Sequence, residues 1–147
     1  MPTMPNPHAE PPAEAARKAL ILVVDDQPTN IQAVGALLFQ AGYDVMPALS
    51  GTQALERCEQ RTPDLVLLDM RMPGMDGFEV CNHLRQGPRT QDVPIIFLTA
   101  AHEREVLVKA FEAGAVDYVT KPFVSEELLA RVKTHLELKS IRDRLAQ

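Results

Sequence analysis

The stretch PDLVLLDMRMPGMDGFEVCNHLRQG, residues 63–87, predicts one strand, one loop and one helix in that order. Leu65-Val66-Leu67-Leu68 is apolar without interruption, which is typical of a strand covered on both faces of a sheet. From Gly77 to Gly87 the apolar residues recur in the pattern of a helix with one buried face. A buried strand followed by a helix is the repeating unit of α/β proteins, so further units are expected on either side.

More units of this kind flank the stretch. Five short apolar runs alternate with five helix-length segments, which predicts a parallel sheet wound by right-handed crossovers. The second and fifth runs are more mixed in polarity than the other three, as edge strands tend to be. The runs are Leu20–Val24, Tyr43–Met46, Leu65–Leu68, Val93–Leu98 and Val116–Val119.

Glycine, proline and capping residues mark the ends of the predicted helices. The first helix has apolar residues at spacings of three and four and ends near Gly42, while the second begins near Gly51 and stops before Pro63. The fourth closes at Gly114. The fifth begins at Ser125, followed by two acids that favour the positive end of a helix.

The order of the strands does not follow from this pattern. The periodicity predicts a single doubly wound (βα)5 domain of the α/β class, and the flavodoxin-like order 2-1-3-4-5 is a hypothesis. In that order the winding reverses between strands one and three. Ligands of such folds bind in the crevice at the carboxyl ends of the strands there, so the hypothesis predicts where a site should lie.

Composition narrows the classes of protein. The 147 residues fit one domain with its own core, and the net charge of −5 argues against binding nucleic acid through its phosphates. No apolar run reaches the ~18 residues of a membrane-spanning helix, and the N-terminus lacks the apolar segment of a secretory signal. With only Cys58 and Cys81 and no metal-binding spacing around them, a reducing cytoplasm is expected.

The two ends of the chain differ from its centre. Residues 1–18 are rich in proline and poor in apolar residues, which predicts a flexible tail, and the domain itself is expected at 19–138. Residues 139–147 extend the last helix, either as a coiled coil leading to a further domain, as a contact between two copies, or as a frayed end. The apolar residues that continue the helical spacing are Leu138, Ile141 and Leu145.

Three carboxylates lie where the strand-order hypothesis puts a site. Strand one ends in Asp25-Asp26 and strand three ends in Asp69. Crowded negative charges raise the pKa of a carboxyl group unless a cation neutralises them. Carboxylate oxygens without a nearby thiol or imidazole suit Mg²⁺, with Mn²⁺ as the other candidate. Because Mg²⁺ keeps positions for water and phosphate, the predicted site has room for a phosphate oxygen.

A hydroxyl group and an ammonium group follow the next two strands. Strand four ends in Thr99 and strand five is followed by Lys121, and both are suited to contact a phosphoryl group. An aspartate surrounded by such groups can act as a nucleophile toward phosphorus, so Asp69 is the predicted acceptor. Taken singly, each residue has a simpler explanation: a helix cap for Asp25 or Asp26, a loop hydrogen bond for Thr99 and a solvated surface position for Lys121.

Five segments, present together and in order, are far more specific than any one of them. They are Val23–Asp26, Leu67–Asp69, Met72–Gly77, Phe97–Ala100 and Val116–Phe123. With these segments, the chain from Leu20 to about Leu138 resembles the receiver domain of two-component response regulators, a phosphorelay signalling domain. The resemblance implies the sheet order 2-1-3-4-5.

The resemblance also implies roles for the acidic residues. Asp69 matches the phospho-acceptor, Asp26 matches a direct metal ligand, and Asp25 supports the metal through water. Arg71 falls where the family contributes a backbone carbonyl to the metal. The implied cofactor is Mg²⁺ or Mn²⁺, and the protein is expected to be a phosphorylated signalling domain and not an enzyme.

Thr99 and Tyr118 match the family's switch pair. In the family, the hydroxyl moves toward the phosphoryl group and the aromatic ring turns inward, which changes the face formed by helix four, strand five and helix five. An edge-strand aromatic resting on a helix would explain Tyr118 equally well. Lys121-Pro122 is typically a cis peptide in this family.

The resemblance implies partners as well. A sensor histidine kinase or a phosphotransfer protein would supply the phosphoryl group, and Ile31 and Val34 on the first helix are candidates either for contacting it or for the core. A C-terminal output domain, a downstream protein or a second copy would receive the signal. No direct contact with nucleic acid or a membrane is expected. Whether the chain stands alone or comes from a larger protein stays open.

Three alternative functions fit the residues less well. A phosphatase of the haloacid dehalogenase type needs an acid two residues after its nucleophile, and Arg71 occupies that position. A flavin binder needs a phosphate-cradling loop after strand one, where Asp25-Asp26-Gln27-Pro28 is acidic and has no glycine. A phosphorylation-silent receiver, acting only as an interaction or dimerisation module, is disfavoured by the intact set of acidic, hydroxyl and ammonium groups.

Overall fold

The computed structural model describes residues 17–100 and 104–146, so the predicted tail lies almost wholly outside the described residues. Within them the chain alternates strand and helix five times. The elements are β1 Leu20–Val24, α1 Pro28–Gln40, β2 Asp44–Ala48, α2 Gly51–Gln60, β3 Leu65–Asp69, α3 Gly77–Gln86, β4 Ile95–Thr99, α4 Arg104–Glu112, β5 Asp117–Thr120 and α5 Ser125–Leu145.

The five strands form one parallel sheet in the order β2-β1-β3-β4-β5. This order confirms the predicted doubly wound, flavodoxin-like fold, and it confirms that the two runs of mixed polarity are the edge strands. The register pairs Val24 with Leu68 and Asp69 with Leu98, so β1, β3 and β4 end at the same edge of the sheet. The crevice between β1 and β3 opens at that edge.

Strand bounds differ by one or two residues from the predicted runs. Tyr43 precedes β2, because its backbone N–H donates to the Leu38 carbonyl at 3.1 Å and closes the end of α1. Pro94 precedes β4 and contributes only its carbonyl, which accepts from the Val66 N–H at 2.9 Å. These shifts leave the carboxyl ends of the strands, where the acids lie, as predicted.

Two apolar layers hold the strand ends in place. β1, β3 and β4 are buried along their whole length, because helices cover both faces of the sheet. One face, with Leu68 and Phe97, packs against α2, α3 and α4, and the other, with Leu67 and Leu98, packs against α1 and α5. Truncating a fully buried leucine typically costs about 2–5 kcal/mol, so these layers fix where the polar ends of the strands lie.

Capping groups stabilise the starts of α2 and α3. Asp76 Oδ1 accepts from the Glu79 backbone N–H at 2.9 Å, and Glu79 Oε1 accepts from the Asp76 N–H at 3.4 Å, which completes a capping box. Ser50 Oγ caps α2 in a simpler way, by accepting from the Gln53 N–H at 3.1 Å. Each such cap contributes about 1 kcal/mol to helix stability.

Gly77 allows α3 to start directly against β3. A Cβ atom at this position would lie 2.7 Å from the Asp69 carbonyl oxygen, 2.8 Å from the Phe97 ring and 2.9 Å from the Met70 Cα. The Gly77 N–H also donates to the Met70 carbonyl at 3.1 Å. This close approach sets the position of Asp69 relative to the loop that follows it.

The last helix, α5, is continuous to Leu145. Its first half carries Leu128 and Val132 into the core, and its second half runs on past Leu138, which is half exposed. No helix in residues 17–100 and 104–146 is long and apolar enough to cross a membrane.

Candidate functional site

Three carboxylates meet at the crevice between β1 and β3. Asp25 and Asp26 directly follow β1, and Asp69 is the last residue of β3. One oxygen from each lies within 4.8 Å of the other two. Asp25 and Asp69 are buried, whereas Asp26 is half-buried. The structure therefore brings together the three acids that the strand-order hypothesis predicts to be neighbours.

Asp25 is the most connected of the three acids. Its Oδ1 accepts from the Gln27 backbone N–H at 2.9 Å, just ahead of α1. Its Oδ2 accepts from Asn30 Nδ2 at 3.2 Å and from Lys121 Nζ at 3.1 Å. Asp25 thus shapes the turn into α1 and also takes part in the site. Asn30 was missed by the sequence analysis, since an asparagine in the first turn of a helix is no signal by itself.

Lys121 joins the site from the far edge of the sheet. Its Nζ lies 3.1 Å from Asp25 Oδ2 and 3.5 Å from Asp69 Oδ1. The Lys121 backbone N–H donates to the Thr99 carbonyl at 2.7 Å, and Lys121-Pro122 is a cis peptide bond. These contacts show that Lys121 is not a solvated surface residue.

The environment of Asp69 opposes its negative charge. Burial is the main cause that raises the pKa of Asp69 above its usual value. The Lys121 ammonium and a 3.4 Å hydrogen bond from the Arg71 backbone N–H act in the opposite direction, while the neighbouring Asp25 raises the pKa further. A carboxylate in this position is stabilised by a second cation close to it.

The oxygen donors of this cluster suit one class of metal ion. Carboxylates at the mouth of a partly open crevice, without thiol or imidazole groups among them, are ligands for hard cations such as Mg²⁺. Arg71 follows in the loop after β3, and its side chain is exposed. The residues present therefore fit the predicted metal.

The two predicted switch residues lie on neighbouring strands. Thr99 is buried at the end of β4 and Tyr118 is half-buried on β5. The Tyr118 ring contacts Phe111 of α4 edge to face, with ring centroids 6.1 Å apart. This contact is the one expected of an edge-strand aromatic that rests on a helix, so the switch role of Tyr118 remains a prediction.

The two α1 residues considered for kinase contact lie in the core. Ile31 and Val34 are both buried and pack with the apolar layer between α1, α5 and the sheet. Because their side chains point toward the sheet, a partner docking on α1 would meet the neighbouring exposed residues instead.

A family model for the response regulator receiver domain matches residues 21–133 of the chain. The chain belongs to the receiver domain family of response regulators. It is therefore a signalling domain of two-component systems, as its resemblance predicts.

The curated relatives of this chain are longer than the chain itself. The chain is 44% identical over 116 residues to the DNA-binding dual master transcriptional regulator RpaA of Synechocystis. The match covers 79% of this chain and 48% of RpaA. The chain is also 40% identical over 129 residues to the response regulator PleD of Caulobacter vibrioides. That match covers 88% of this chain and 28% of PleD. The chain thus spans about half, or less, of these two relatives.

Among solved structures, the receiver domain is similar to the chemotaxis response regulator CheY4 of Vibrio cholerae. The TM-score is 0.77 at 32% sequence identity, and the match covers 81% of this chain and 99% of that one. The likeness extends over nearly the whole of CheY4, which agrees with the fold described above.

Proposed function

We propose that Asp69 is the phospho-acceptor of this receiver domain. The observation that carries the proposal is the meeting of Asp25, Asp26 and Asp69 within 4.8 Å, with Lys121 Nζ 3.5 Å from Asp69 Oδ1. Three acids and one ammonium group at a crevice form a site where a cation and an anionic phosphoryl group can both be balanced.

The donor is a phosphohistidine on a sensor histidine kinase or on a phosphotransfer protein. An Asp69 carboxylate oxygen attacks the phosphorus, the phosphorus–nitrogen bond to the imidazole breaks, and the imidazole regains a proton. The new group is an acyl phosphate. Phosphoryl transfer needs positioning and charge neutralisation more than covalent help, which is what the surrounding residues offer.

Mg²⁺, with Mn²⁺ as the alternative, would be held by Asp26 and Asp69 directly, by Asp25 through water and by the Arg71 backbone carbonyl. When bound, it supplies positive charge against the transferring phosphoryl oxygens. Lys121 and the Thr99 hydroxyl donate to those oxygens from the β4 and β5 side of the crevice.

The response follows from the change in charge. Phosphorylation adds a group with about −1.5 to −2 charge. Lys121, which contacts both Asp25 and Asp69 before phosphorylation, then gains a stronger acceptor. Thr99 turns toward the phosphoryl oxygens, and Tyr118 turns inward from its contact with Phe111. These movements change the face formed by α4, β5 and α5, which an output domain or a downstream protein would recognise. We also propose the cytoplasm as the compartment, because the phosphodonor kinases act there.

Labelling with a small phosphodonor tests the proposal. The protein is incubated with phosphoramidate, which has a phosphorus–nitrogen bond, in Mg²⁺ or in chelator, and its intact mass is measured. We expect the wild type to gain one phosphoryl group in Mg²⁺ only. Asp69→Asn should gain none, and Asp26→Asn should need more Mg²⁺ for the same labelling. Asp92→Asn, an exposed acid away from the crevice, is the matched control and should label like the wild type.

The opposite result would support a different function. If a reference receiver is labelled under the same conditions but the wild type is not, Asp69 is not an acceptor and the domain acts by binding alone. Labelling that persists in Asp69→Asn would move the acceptor to another residue.

A further inference from the structure

The first turn of α1 has few of the groups that usually stabilise the start of a helix. Pro28 suits its first position, but Gln27 at the N-cap makes no side-chain cap hydrogen bond, and the turn carries no acidic residue. In contrast, α3 starts with a complete capping box. Asparagine is also one of the weaker helix formers. The helix itself therefore gives little reason for Asn30 in this turn.

The Asn30 side chain reaches back to the acidic cluster. Its Nδ2 donates to Asp25 Oδ2 at 3.2 Å, and the amide presents its NH2 group there because an ionised carboxylate can only accept. Asn30 is half-buried, and Asp25 is only 1% exposed. Little water can compete for a hydrogen bond to so buried a charge, which makes the bond stronger than one at the surface. Asn30 is therefore a partner of Asp25.

The donors around Asp25 divide between its two carboxylate oxygens. Oδ1 accepts from the Gln27 backbone N–H at 2.9 Å, whereas Oδ2 accepts from both Asn30 and Lys121. Each carboxylate oxygen has about two lone-pair sites, so Oδ2 is filled and Oδ1 has one site left. That remaining site is on the oxygen that Asn30 does not contact. The proposed contact of Asp25 with a metal ion through water can therefore form without disturbing the Asn30 bond.

Lys121 lies closer to Asp25 than to the proposed acceptor. Its Nζ is 3.1 Å from Asp25 Oδ2 and 3.5 Å from Asp69 Oδ1. Donation to phosphoryl oxygens on Asp69 would draw the ammonium group away from Oδ2. Removing a partner from a buried carboxylate is costly, because its charge is then less well compensated. A second donor that stays on Oδ2 would lower this cost.

We propose that Asn30 is a positioning residue for phosphoryl transfer, which keeps Asp25 in place and hydrogen-bonded while Lys121 moves to the phosphoryl group. Asn30 acts through Asp25 and is not itself a catalytic residue. This role rests on the proposed function of Asp69 as phospho-acceptor and deepens it, because it names the residue that eases the release of Lys121.

Two measurements separate this role from a merely structural one. The first is Mg²⁺ affinity without a phosphodonor, by calorimetric titration, and the second is the rate of labelling by phosphoramidate at saturating Mg²⁺. Asn30→Leu removes the amide and keeps a side chain of similar size. Its Mg²⁺ dissociation constant should stay within about twofold of the wild type, since Lys121 still holds Oδ2 before the reaction. Its labelling rate should fall about tenfold, which corresponds to about 1.4 kcal/mol in the barrier.

Gln32→Leu is the matched control. Gln32 is an exposed amide on the same helix, so this variant makes the same kind of change away from the acidic cluster. It should match the wild type in both Mg²⁺ affinity and labelling rate.

Asn30→Asp keeps the test decisive even if Asn30→Leu folds poorly. The side chain has nearly the same shape, and an acid in the first turn suits the positive end of α1, so the urea midpoint should be at least that of the wild type. Its carboxylate cannot donate to Asp25 and would attract Lys121. Labelling at saturating Mg²⁺ should therefore slow by at least about tenfold.

Failure of this role and failure of the proposed function give different results. If the wild type is not labelled, the acceptor role of Asp69 fails and the role of Asn30 fails with it. If the wild type is labelled and either Asn30 variant is labelled at the same rate, only the role of Asn30 is overturned. A parallel loss of Mg²⁺ affinity and labelling rate in Asn30→Leu would also overturn it, because Asn30 would then support the metal site as a whole.

Discussion

Replacing Gly77 with alanine tests how tightly α3 is set against β3. The added methyl group would lie 2.7 Å from the Asp69 carbonyl oxygen and 2.9 Å from the Met70 Cα, and neither backbone atom can move without shifting the end of β3. Its third neighbour is the ring of Phe97, at 2.8 Å, which is fully buried and has no free space to turn into. We therefore expect the substitution to be destabilising.

The size of the effect can be worked out from two opposing contributions. Overpacking of a well-packed core costs about 1–3 kcal/mol, and three contacts under 3.0 Å argue for the upper end. Replacing glycine with alanine in a helix gains about 0.5–1 kcal/mol. The net loss in the free energy of unfolding is therefore about 2 kcal/mol. Gly35→Ala in α1 is the matched control, because its methyl group would meet only a Val45 methyl at 3.6 Å, and it should be stabilising.

Urea unfolding followed by circular dichroism measures both variants. The midpoint of Gly77→Ala should fall by about 1 M, given a slope of about 1–3 kcal/mol per molar urea for a small protein. The midpoint of Gly35→Ala should rise. If both variants are stabilised to the same extent, α3 has room at Gly77 and the reasoning from close approach is refuted.

Two further predictions concern charged groups outside the crevice. Burial by itself would raise the pKa of Asp117, but hydrogen bonds from His135 at 3.0 Å and Arg131 at 2.8 Å outweigh it and lower the pKa. The stability from this carboxylate is present above its unfolded pKa of about 3.9 and is lost as the pH falls through the lower folded value. Urea midpoints of the wild type and Asp117→Asn should therefore differ at neutral pH and approach each other as the pH is lowered below the unfolded pKa. A gap that does not narrow would contradict this origin of the stability. Arg85→Lys should lower the free energy of unfolding by about 2 kcal/mol. The Arg85 guanidinium group donates to the Gly114 carbonyl at 2.7 Å and to three carbonyls that precede β4. An ammonium group cannot reach all of these carbonyls at once. Thermal unfolding measures this loss, and an unchanged midpoint would mean that water serves the carbonyls equally well.

Local patterns were sufficient to predict the elements of the fold. The uninterrupted apolar runs at β1, β3 and β4 predicted buried strands, and the mixed runs predicted edge strands, because polarity along a strand depends on whether one or two of its faces are covered. The order of the strands was a hypothesis, since periodicity within a segment carries no information about which segments pair. The resemblance to receiver domains supplied the order, and the sheet confirmed it.

The candidate site was predicted in part. The acids after β1 and β3 were expected together because parallel strands end at one edge of the sheet. The bond from Lys121 to Asp25, across 96 positions of sequence, was not predicted as a pair. Asn30 and the contacts of Arg85 were missed entirely, because a single polar residue on a helix has no pattern to distinguish it from its solvated neighbours.

By itself, the sequence determined the alternation of strand and helix, the chemistry available at the strand ends and the apolar spacing at the end of α5. These are properties of residues close together in the chain, so composition and periodicity are enough to reveal them. Only the tertiary structure decided that Lys121 sits between Asp25 and Asp69, that Gly77 has no room for a methyl group, and that the apolar residues at the end of α5 are exposed. Each of these depends on distances between segments that are far apart in sequence, and such distances are set by the packing of helices on both faces of the sheet.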